Sequence, residues 1–202
     1  MGIKERRDSE KAEMKKKIMN AAIEIINQDG YANLSIRKIA AKIEYSPTTI
    51  YLYYKDKAQI IADMADELYN TIEYNTATII NENSSASLNN QVHDILFNFI
   101  KSLSDEPEMT KAIIYSGMNV IFVNDSKDPN PTNKGISMLD QLFAKGIAQK
   151  VFKPNIKDTS WMIISALLGF AISVVENQLY LQEDFDQLAN NFVEILMGGL
   201  KQ

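Results

Sequence analysis

The densest cluster of side chains suited to ligand chemistry lies between Ser46 and Lys57. Within twelve residues it carries hydroxyls, phenols and a cation, together with one proline: Ser46, Pro47, Thr48, Thr49, Tyr51, Tyr53 and Lys57. Groups of these types bind phosphate oxygens and the edges of bases. Only Ile50 and Tyr54 supply apolar bulk for a buried face. A helix here would gain little from packing and would leave a polar face exposed.

Lys57 provides an independent indication of the same chemistry. Asp56 and Gln59 predict a helix start, so Lys57 lies in a first turn, where a cation opposes the helix dipole. A phosphate at this N-terminus would bind both the lysine and the free backbone N–H groups. The alternative is an exposed lysine whose unfavourable position is screened by solvent. The residues alone leave both interpretations open.

Helices are predicted to position this cluster. Apolar residues from Met14 to Ile25 recur at helical spacing, and Gly30 is expected to end this first helix. Ser35 is an expected N-cap for a second helix. The charged segment from Lys4 to Lys17 is expected to be a flexible basic arm.

A turn at Glu44-Tyr45 separates the second helix from a short third one, which Ser46 as N-cap and Pro47 as first residue open. The fourth helix runs to about Glu82. Two helices joined by a three- to four-residue turn form a helix-turn-helix, whose second helix can enter a major groove. Five more helices are predicted, near 88–104, 107–123, 132–149, 157–181 and 184–200. The expected fold class is all-α.

Charge is distributed unevenly along the chain. Residues 1–57 hold 12 Lys/Arg against 8 Asp/Glu, whereas the remaining residues hold 9 against 18. This asymmetry favours a basic module directed at a polyanion, attached to an acidic body, although a solvated surface of uneven charge is the alternative. The absence of cysteine excludes disulfides and thiolate chemistry. No signal peptide or membrane-spanning run is apparent, so a cytoplasmic protein is expected.

The stretches Leu34–Ala40 and Ser46–Lys57 resemble the DNA-binding signature of TetR-family transcriptional regulators. The shared pattern is an alanine in the second helix, a tyrosine within the third, an aromatic pair, and a lysine opening the fourth. The resemblance is close over residues 14–60. The sequence departs from the family at Glu44 and Tyr45, which replace a glycine and a small aliphatic residue. The glutamate must therefore accept the backbone conformation of the turn.

The resemblance implies an N-terminal three-helix DNA-binding domain, residues 1–57, and a C-terminal helical domain, residues 58–202, that binds a ligand and dimerises. It implies that Arg37 reads a base edge and that Pro47, Thr48 and Thr49 face bases at the tip of the third helix, with Ser46 also among the DNA-binding residues. It also implies phosphate contacts for a further set of side chains: Ser35, Thr49, Tyr51, Tyr53 and Lys57.

Two apolar helices at the C-terminal end are candidates for the dimer interface. Ser165, Gly169 and Ser173 recur every four residues, and such a seam of small side chains lets another helix approach closely. The last helix carries an apolar stripe made of Phe185, Leu188, Phe192 and Leu196. The alternative is that these stripes pack only within one chain.

The candidate ligand residues are aromatic residues and methionines on helices expected to enclose the centre of the C-terminal domain: Tyr115, Met118, Phe122, Phe143, Trp161 and Met162. Such residues suit an apolar ligand, but they are also ordinary core residues. The absence of a basic cluster favours a neutral, mostly hydrophobic ligand.

The expected function is a DNA-binding transcription regulator, a repressor that releases a palindromic operator when its ligand binds. The expected partners are double-stranded operator DNA, a second copy of the chain and an unidentified small molecule, without a membrane. The alternative is an architectural or cell-division protein that uses the same fold without an inducer. His93 lacks a serine or metal-ligand constellation, so no enzyme activity, metal or cofactor is expected.

Overall fold

The computed structural model describes residues 2–82, 87–117, 134–156 and 159–201. Those residues form nine α-helices, three 3₁₀ turns and one isolated β-bridge, which confirms the all-α prediction. The chain divides into two compact units. The first, unit 1, comprises Met1–Glu67 and Glu108–Val120; the second, unit 2, comprises Leu68–Pro107 and Ile121–Gln202.

Unit 1 contains the predicted helix-turn-helix. Its helices are α1 (Ile3–Asp29), α2 (Ile36–Lys42), α3 (Pro47–Tyr51), the first part of α4 (Lys57–Glu82) and most of α6 (Pro107–Tyr115). Their core is built from buried isoleucines and small residues, and α1 packs against α2. The buried isoleucines include Ile18, Ile26, Ile39, Ile60 and Ile61. A side-chain amide ties α6 to α1, because Nδ2 of Asn27 donates to the backbone carbonyl of Glu108 over 2.9 Å.

Unit 2 contains the rest of α4, α5 (Leu88–Asp105), α7 (Lys134–Ala148), α8 (Ser160–Glu176) and α9 (Phe185–Leu200). Helix α5 lies at its centre and packs against α7, α8 and α9. The apolar face of α5, from Leu88 through Val92, Leu96 and Ile100, is buried in one core cluster. Helices α8 and α9 are joined by the stacked rings of Phe170 and Phe192, whose centroids lie 4.1 Å apart.

Three predicted segments differ in the structure. The segment from Lys4 to Lys17, expected as a flexible arm, is helical and forms the first turns of α1. Pairs four residues apart, such as Arg6 with Glu10, support an exposed helix of this kind. Helix α6 ends at Tyr115 rather than 123, because Gly117 adopts a positive φ of 67°.

Helix α8 is also shorter than predicted. It was expected to span 157–181, but it runs from Ser160 to Glu176. Gln178 then takes a left-handed conformation, φ 54° and ψ 31°, and a 3₁₀ turn follows at Leu179–Leu181. A residue with left-handed backbone angles cannot continue a right-handed helix. Helix α8 therefore ends at Glu176, although apolar residues keep a helical spacing beyond it. Within the described ranges, no helix is long and apolar enough to cross a membrane.

Candidate nucleic-acid interface

Helix α3 begins as the sequence predicts. The Oγ atom of Ser46 accepts the backbone N–H of Thr49 over 3.1 Å, and Pro47 occupies the first turn. The hydroxyls of Ser46 and Thr49 are also within 2.9 Å of each other, so one of them donates to the other. The two hydroxyls are therefore held together at the N-terminal end of α3.

The two faces of α3 are chemically distinct. Ile50 and Tyr54 are fully buried and attach the helix to unit 1. Thr48, Tyr51 and Leu52 are exposed, with 57% of Tyr51 and 75% of Leu52 accessible to solvent. The exposed face therefore combines a hydroxyl, a phenol and a branched aliphatic group. Leu52 is not among the residues predicted to contact DNA, although its position in the helix indicates that it faces outward.

A partly buried polar cluster lies at the C-terminal end of α3. The Tyr54 hydroxyl donates a hydrogen bond to the carboxylate of Asp63 in α4. Lys15 of α1 places its Nζ 2.6 Å from Oδ2 of Asp63 and 4.9 Å from the centroid of the Tyr54 ring. Burial, followed by the negative charge and the hydrogen bond of Asp63, raises the pKa of Tyr54 above its ordinary value. These three side chains join α1, α3 and α4.

Lys57 is already engaged within the chain. Its Nζ donates to the backbone carbonyl of Tyr31 over 3.2 Å and lies 4.2 Å from the centroid of the Tyr31 ring. Since an ammonium group has three donors, this arrangement leaves others for a further ligand. The contact fixes the cation at the first turn of α4, where Oδ1 of Asp56 accepts the N–H of Gln59 over 2.9 Å.

Helix α2 presents the remaining predicted residues. The Oγ atom of Ser35 accepts the N–H of Lys38 over 3.2 Å, which confirms Ser35 as the N-cap. Because Ser35 accepts in this bond, its hydroxyl hydrogen is still available to an acceptor such as phosphate. Arg37 lies in the first turn and is exposed, whereas Tyr53 near the end of α3 is half-buried.

The turn between α2 and α3 has the strained backbone that the sequence predicts. Glu44 adopts a φ of 60°, which is the left-handed region that favours glycine. The N–H of Tyr45 then donates to the carbonyl of Ala40 over 2.9 Å. Tyr45 remains partly exposed, and Nζ of Lys17 lies 5.0 Å from the centroid of its ring. Neither Tyr45 nor Lys17 is among the individual residues predicted to contact DNA.

The predicted ligand residues fall in different parts of the molecule. Tyr115 belongs to unit 1, while Phe143 is buried in the core of unit 2 and Trp161 and Met162 are exposed at the start of α8. Met118 and Phe122 lie outside the described residues.

The predicted dimer residues divide into three groups. Ser165, Gly169 and Ser173 are exposed along α8, and Leu188, Phe192 and Leu196 are half-buried on α9. Phe185 lies in the core of unit 2, which leaves little of its surface for a partner.

The helix-turn-helix segment matches a known family. Residues 18–64 match the model described as "Bacterial regulatory proteins, tetR family". The chain is also 23% identical over 103 residues to the "Probable HTH-type transcriptional regulator YttP" of Bacillus subtilis (strain 168). That alignment covers 51% of this chain and 50% of YttP, so the chain spans about half the length of this curated relative.

Solved structures share the fold over most of the chain. A regulatory protein of the tetR family from Rhodococcus RHA1 aligns with a TM-score of 0.72 and 16% identity, covering 93% of this chain and 96% of that one. The regulator FadR from Bacillus subtilis, solved in complex with stearoyl-CoA, aligns with a TM-score of 0.65 and 20% identity, covering 91% and 97%. At these identities the likeness establishes the fold.

Proposed function

We propose that this chain, which belongs to the tetR family of bacterial regulatory proteins, is a transcription regulator that binds a palindromic operator as a dimer. It acts as a repressor in the cytoplasm and releases the operator when a mostly hydrophobic small molecule binds unit 2. The observation that carries the DNA-binding proposal is the exposed face of α3. Two buried residues, Ile50 and Tyr54, hold that short helix so that its hydroxyl and phenol groups face outward.

The polar groups around α3 supply what a DNA backbone requires. The ammonium group of Lys57 lies at the N-terminus of α4, and Ser35 retains its hydroxyl hydrogen at the N-terminus of α2. Arg37 is exposed in the first turn of α2. Helix N-termini and cations favour phosphate, and an arginine can form a bidentate contact with guanine. We assign Lys57, Ser35 and Tyr51 to phosphates and Arg37 to a base edge.

Dimerisation through α8 and α9 is supported by apolar and small residues that the single chain leaves half-buried or exposed. Leu188, Phe192 and Ile195 follow one another at helical spacing on α9, and 74% of Ile195 is accessible to solvent. The exposed small residues of α8, such as Gly169, allow a close helix approach. A single short reading helix offers little contact area, so two copies are needed for a specific site.

Ligand binding in unit 2 is supported by buried polar atoms without partners. Nδ2 of Asn98 in α5 and Oγ of Ser160 in α8 have no hydrogen-bond partner among the described residues. A buried unsatisfied group costs free energy, so a bound molecule that hydrogen-bonds to these atoms would be favoured. The FadR relative, solved with stearoyl-CoA, provides a precedent for a ligand with a long apolar part.

The coupling between ligand and DNA is assigned to α4, which runs continuously from Lys57 in unit 1 to Glu82 in unit 2. A ligand can shift the DNA-binding equilibrium only if it binds the two states of the dimer unequally. We propose that it favours a state in which the two α3 helices no longer match the half-site spacing.

The function is tested by enriching bound sequences from a random double-stranded DNA pool with the full-length chain, followed by footprinting. A palindromic consensus with one protected region is expected. Scattered protection without a consensus would instead support an architectural protein. Light scattering at micromolar concentration should give the mass of a dimer, whereas a monomer would contradict the proposal. Ile195→Arg should dissociate the dimer, and Gln149→Arg, at an exposed position outside α8 and α9, should not.

A further inference from the structure

We propose that Leu52 is a base-reading residue that recognises the 5-methyl group of thymine in each half-site. The inference rests on the proposed DNA-binding function and extends it to a residue outside the predicted contact set. Leu52 is the C-cap residue of α3 and has right-handed helical backbone angles, φ −71° and ψ −19°. The helical path therefore continues through it.

The position of Leu52 on α3 defines its direction. An α-helix advances by about 100° per residue, so Leu52 lies opposite the line midway between Ile50 and Tyr54. Both of those residues are fully buried, and the N–H of Tyr54 donates to the carbonyl of Ile50 over 3.0 Å, which keeps the helical register. Leu52 is consequently the side chain that points most directly away from unit 1. When α3 lies in a major groove with this outer face inward, Leu52 faces the groove.

Exposure alone would not carry the inference, because single apolar residues are common on protein surfaces. What distinguishes Leu52 is that 75% of it is exposed on the outer face of the reading helix. Thr48 lies one turn earlier on the same face and is also exposed. The central ridge of this face thus carries a leucine side chain and a threonine methyl, flanked by the phenol of Tyr51.

The chemistry of this ridge selects one base. A leucine side chain has no hydrogen-bonding group, so it gains nothing from the donors and acceptors of adenine, guanine or cytosine. Thymine alone among the four bases presents a methyl group in the major groove. Burying that methyl against leucine removes apolar surface from water, which is worth about a fourfold change in affinity for each half-site.

The test replaces each thymine of the enriched operator by deoxyuridine, which removes only the 5-methyl group. Dissociation constants are measured by fluorescence anisotropy for the full-length wild type, Leu52→Ala and Leu52→Met. For the wild type, deoxyuridine at one particular thymine should raise the dissociation constant about fourfold. Substituting that thymine in both half-sites should raise it about fifteenfold. Leu52→Ala should bind more weakly and lose that dependence, while Leu52→Met should keep it because its side chain is also apolar.

Two controls separate this role from general effects. Leu181→Ala makes the same change at a leucine that is 69% exposed in unit 2, and it should keep the wild-type deoxyuridine pattern. Thr48→Ser removes the neighbouring methyl and should also keep the dependence assigned to Leu52. Circular dichroism should show that all variants fold, since each altered side chain is exposed.

Several outcomes would overturn the assignment. A wild type insensitive to every deoxyuridine, a Leu52→Ala protein with an unchanged pattern, or a pattern that follows Thr48→Ser would each contradict it while leaving DNA binding intact. A pool that never enriches would contradict the DNA-binding function itself, and the role of Leu52 with it.

Discussion

Gly146 in α7 lies against the ring of Phe152 so closely that a Cβ atom at position 146 would come within 2.1 Å of Cδ2 and 2.5 Å of Cε2. The carbonyl of Gly146 also accepts the N–H of Val151 over 2.9 Å. The ring of Phe152 is fully buried and meets Phe143 edge-to-face, with centroids 5.8 Å apart. Any side chain at position 146 must therefore displace the ring of Phe152.

Gly146→Ala should lower the free energy of unfolding by about 1–3 kcal/mol, because overpacking forces the Phe152 ring out of its site. The control is Gly198→Ala in α9, where a Cβ would meet nothing within 4 Å. There, alanine should stabilise the helix by about 0.5–1 kcal/mol. Urea unfolding followed by circular dichroism measures both, and equal effects at the two positions would refute the packing explanation.

Glu44→Gly should raise the free energy of unfolding by about 0.5–1 kcal/mol, because glycine adopts the φ of 60° at this turn without a Cβ clash. Glu44→Ala keeps the clash and serves as the matched control, with no gain expected. Thermal and urea unfolding distinguish the two variants. A glycine variant less stable than the alanine variant would show that the left-handed turn is not strained.

Tyr54→Phe should destabilise the protein by about 1–2 kcal/mol near neutral pH, because it removes the hydrogen bond to the Asp63 carboxylate. The raised pKa of Tyr54 means that the folded state keeps its proton at pH values where the unfolded chain releases it. The contribution of Tyr54 to the free energy of unfolding is therefore fully present below about pH 10. Above that pH it declines, by up to about 1.4 kcal/mol per pH unit.

The difference in stability between wild type and Tyr54→Phe should accordingly narrow as the pH rises from 9 to 11. Urea unfolding of both proteins across this range measures it, and the comparison cancels the titration of other tyrosines and lysines. A gap that stays constant or widens would be incompatible with the hydrogen bond to Asp63.

Lys57→Ala should weaken binding to all DNA sequences by about 1 kcal/mol, because it removes the phosphate contact proposed for Lys57 without changing base readout. The slope of log affinity against log salt should fall by about one unit per subunit. Lys153→Ala is the control, since Lys153 lies in unit 2, where its Nζ donates to the carbonyl of Gly199. An unchanged salt slope for Lys57→Ala would mean that its ammonium serves only Tyr31.

Arg37→Ala should instead relax the preference at one base pair in each half-site, with a loss of discrimination of about 1–3 kcal/mol. Repeating the enrichment with the variant measures this directly. A consensus that remains unchanged at every position would remove Arg37 from the base-reading set.

The starts of the helices were predictable because each depends on local chemistry. Ser35, Ser46 and Asp56 all accept a backbone N–H three residues ahead, as their sequence positions indicate. The ends of α6 and α8 were harder to predict, since apolar spacing continues past them. Gly117 in the sequence indicates the end of α6, because glycine readily adopts a positive φ. Gln178 after α8 is also left-handed, but glutamine rarely adopts this conformation, so its residue type does not predict a helix end.

The candidate interface was predictable in its composition but not in the contacts between its side chains. Hydroxyls and a cation near α3 follow from the sequence, but the contact of Lys57 with Tyr31 joins residues 26 positions apart and depends on tertiary packing. The same holds for the Lys15–Asp63 pair, whose partners are 48 positions apart. Leu52 could have been found, because the helical wheel of α3 already places it opposite Ile50.

Because α3 is only five residues long, two properties of the proposed DNA binding have different origins: sequence discrimination and general affinity for DNA. A helix so short does not persist in water by itself, since isolated helices need about 12–15 residues. A peptide cut from this region would keep its hydroxyls and its lysine but lose the arrangement that reads bases. Mild denaturation that exposes the buried Tyr54 should therefore abolish the discrimination between DNA sequences first. A weak, salt-sensitive affinity for any DNA duplex should remain. In the proposed function, base discrimination therefore depends on the packing of α3, whereas attraction to any duplex depends on charge.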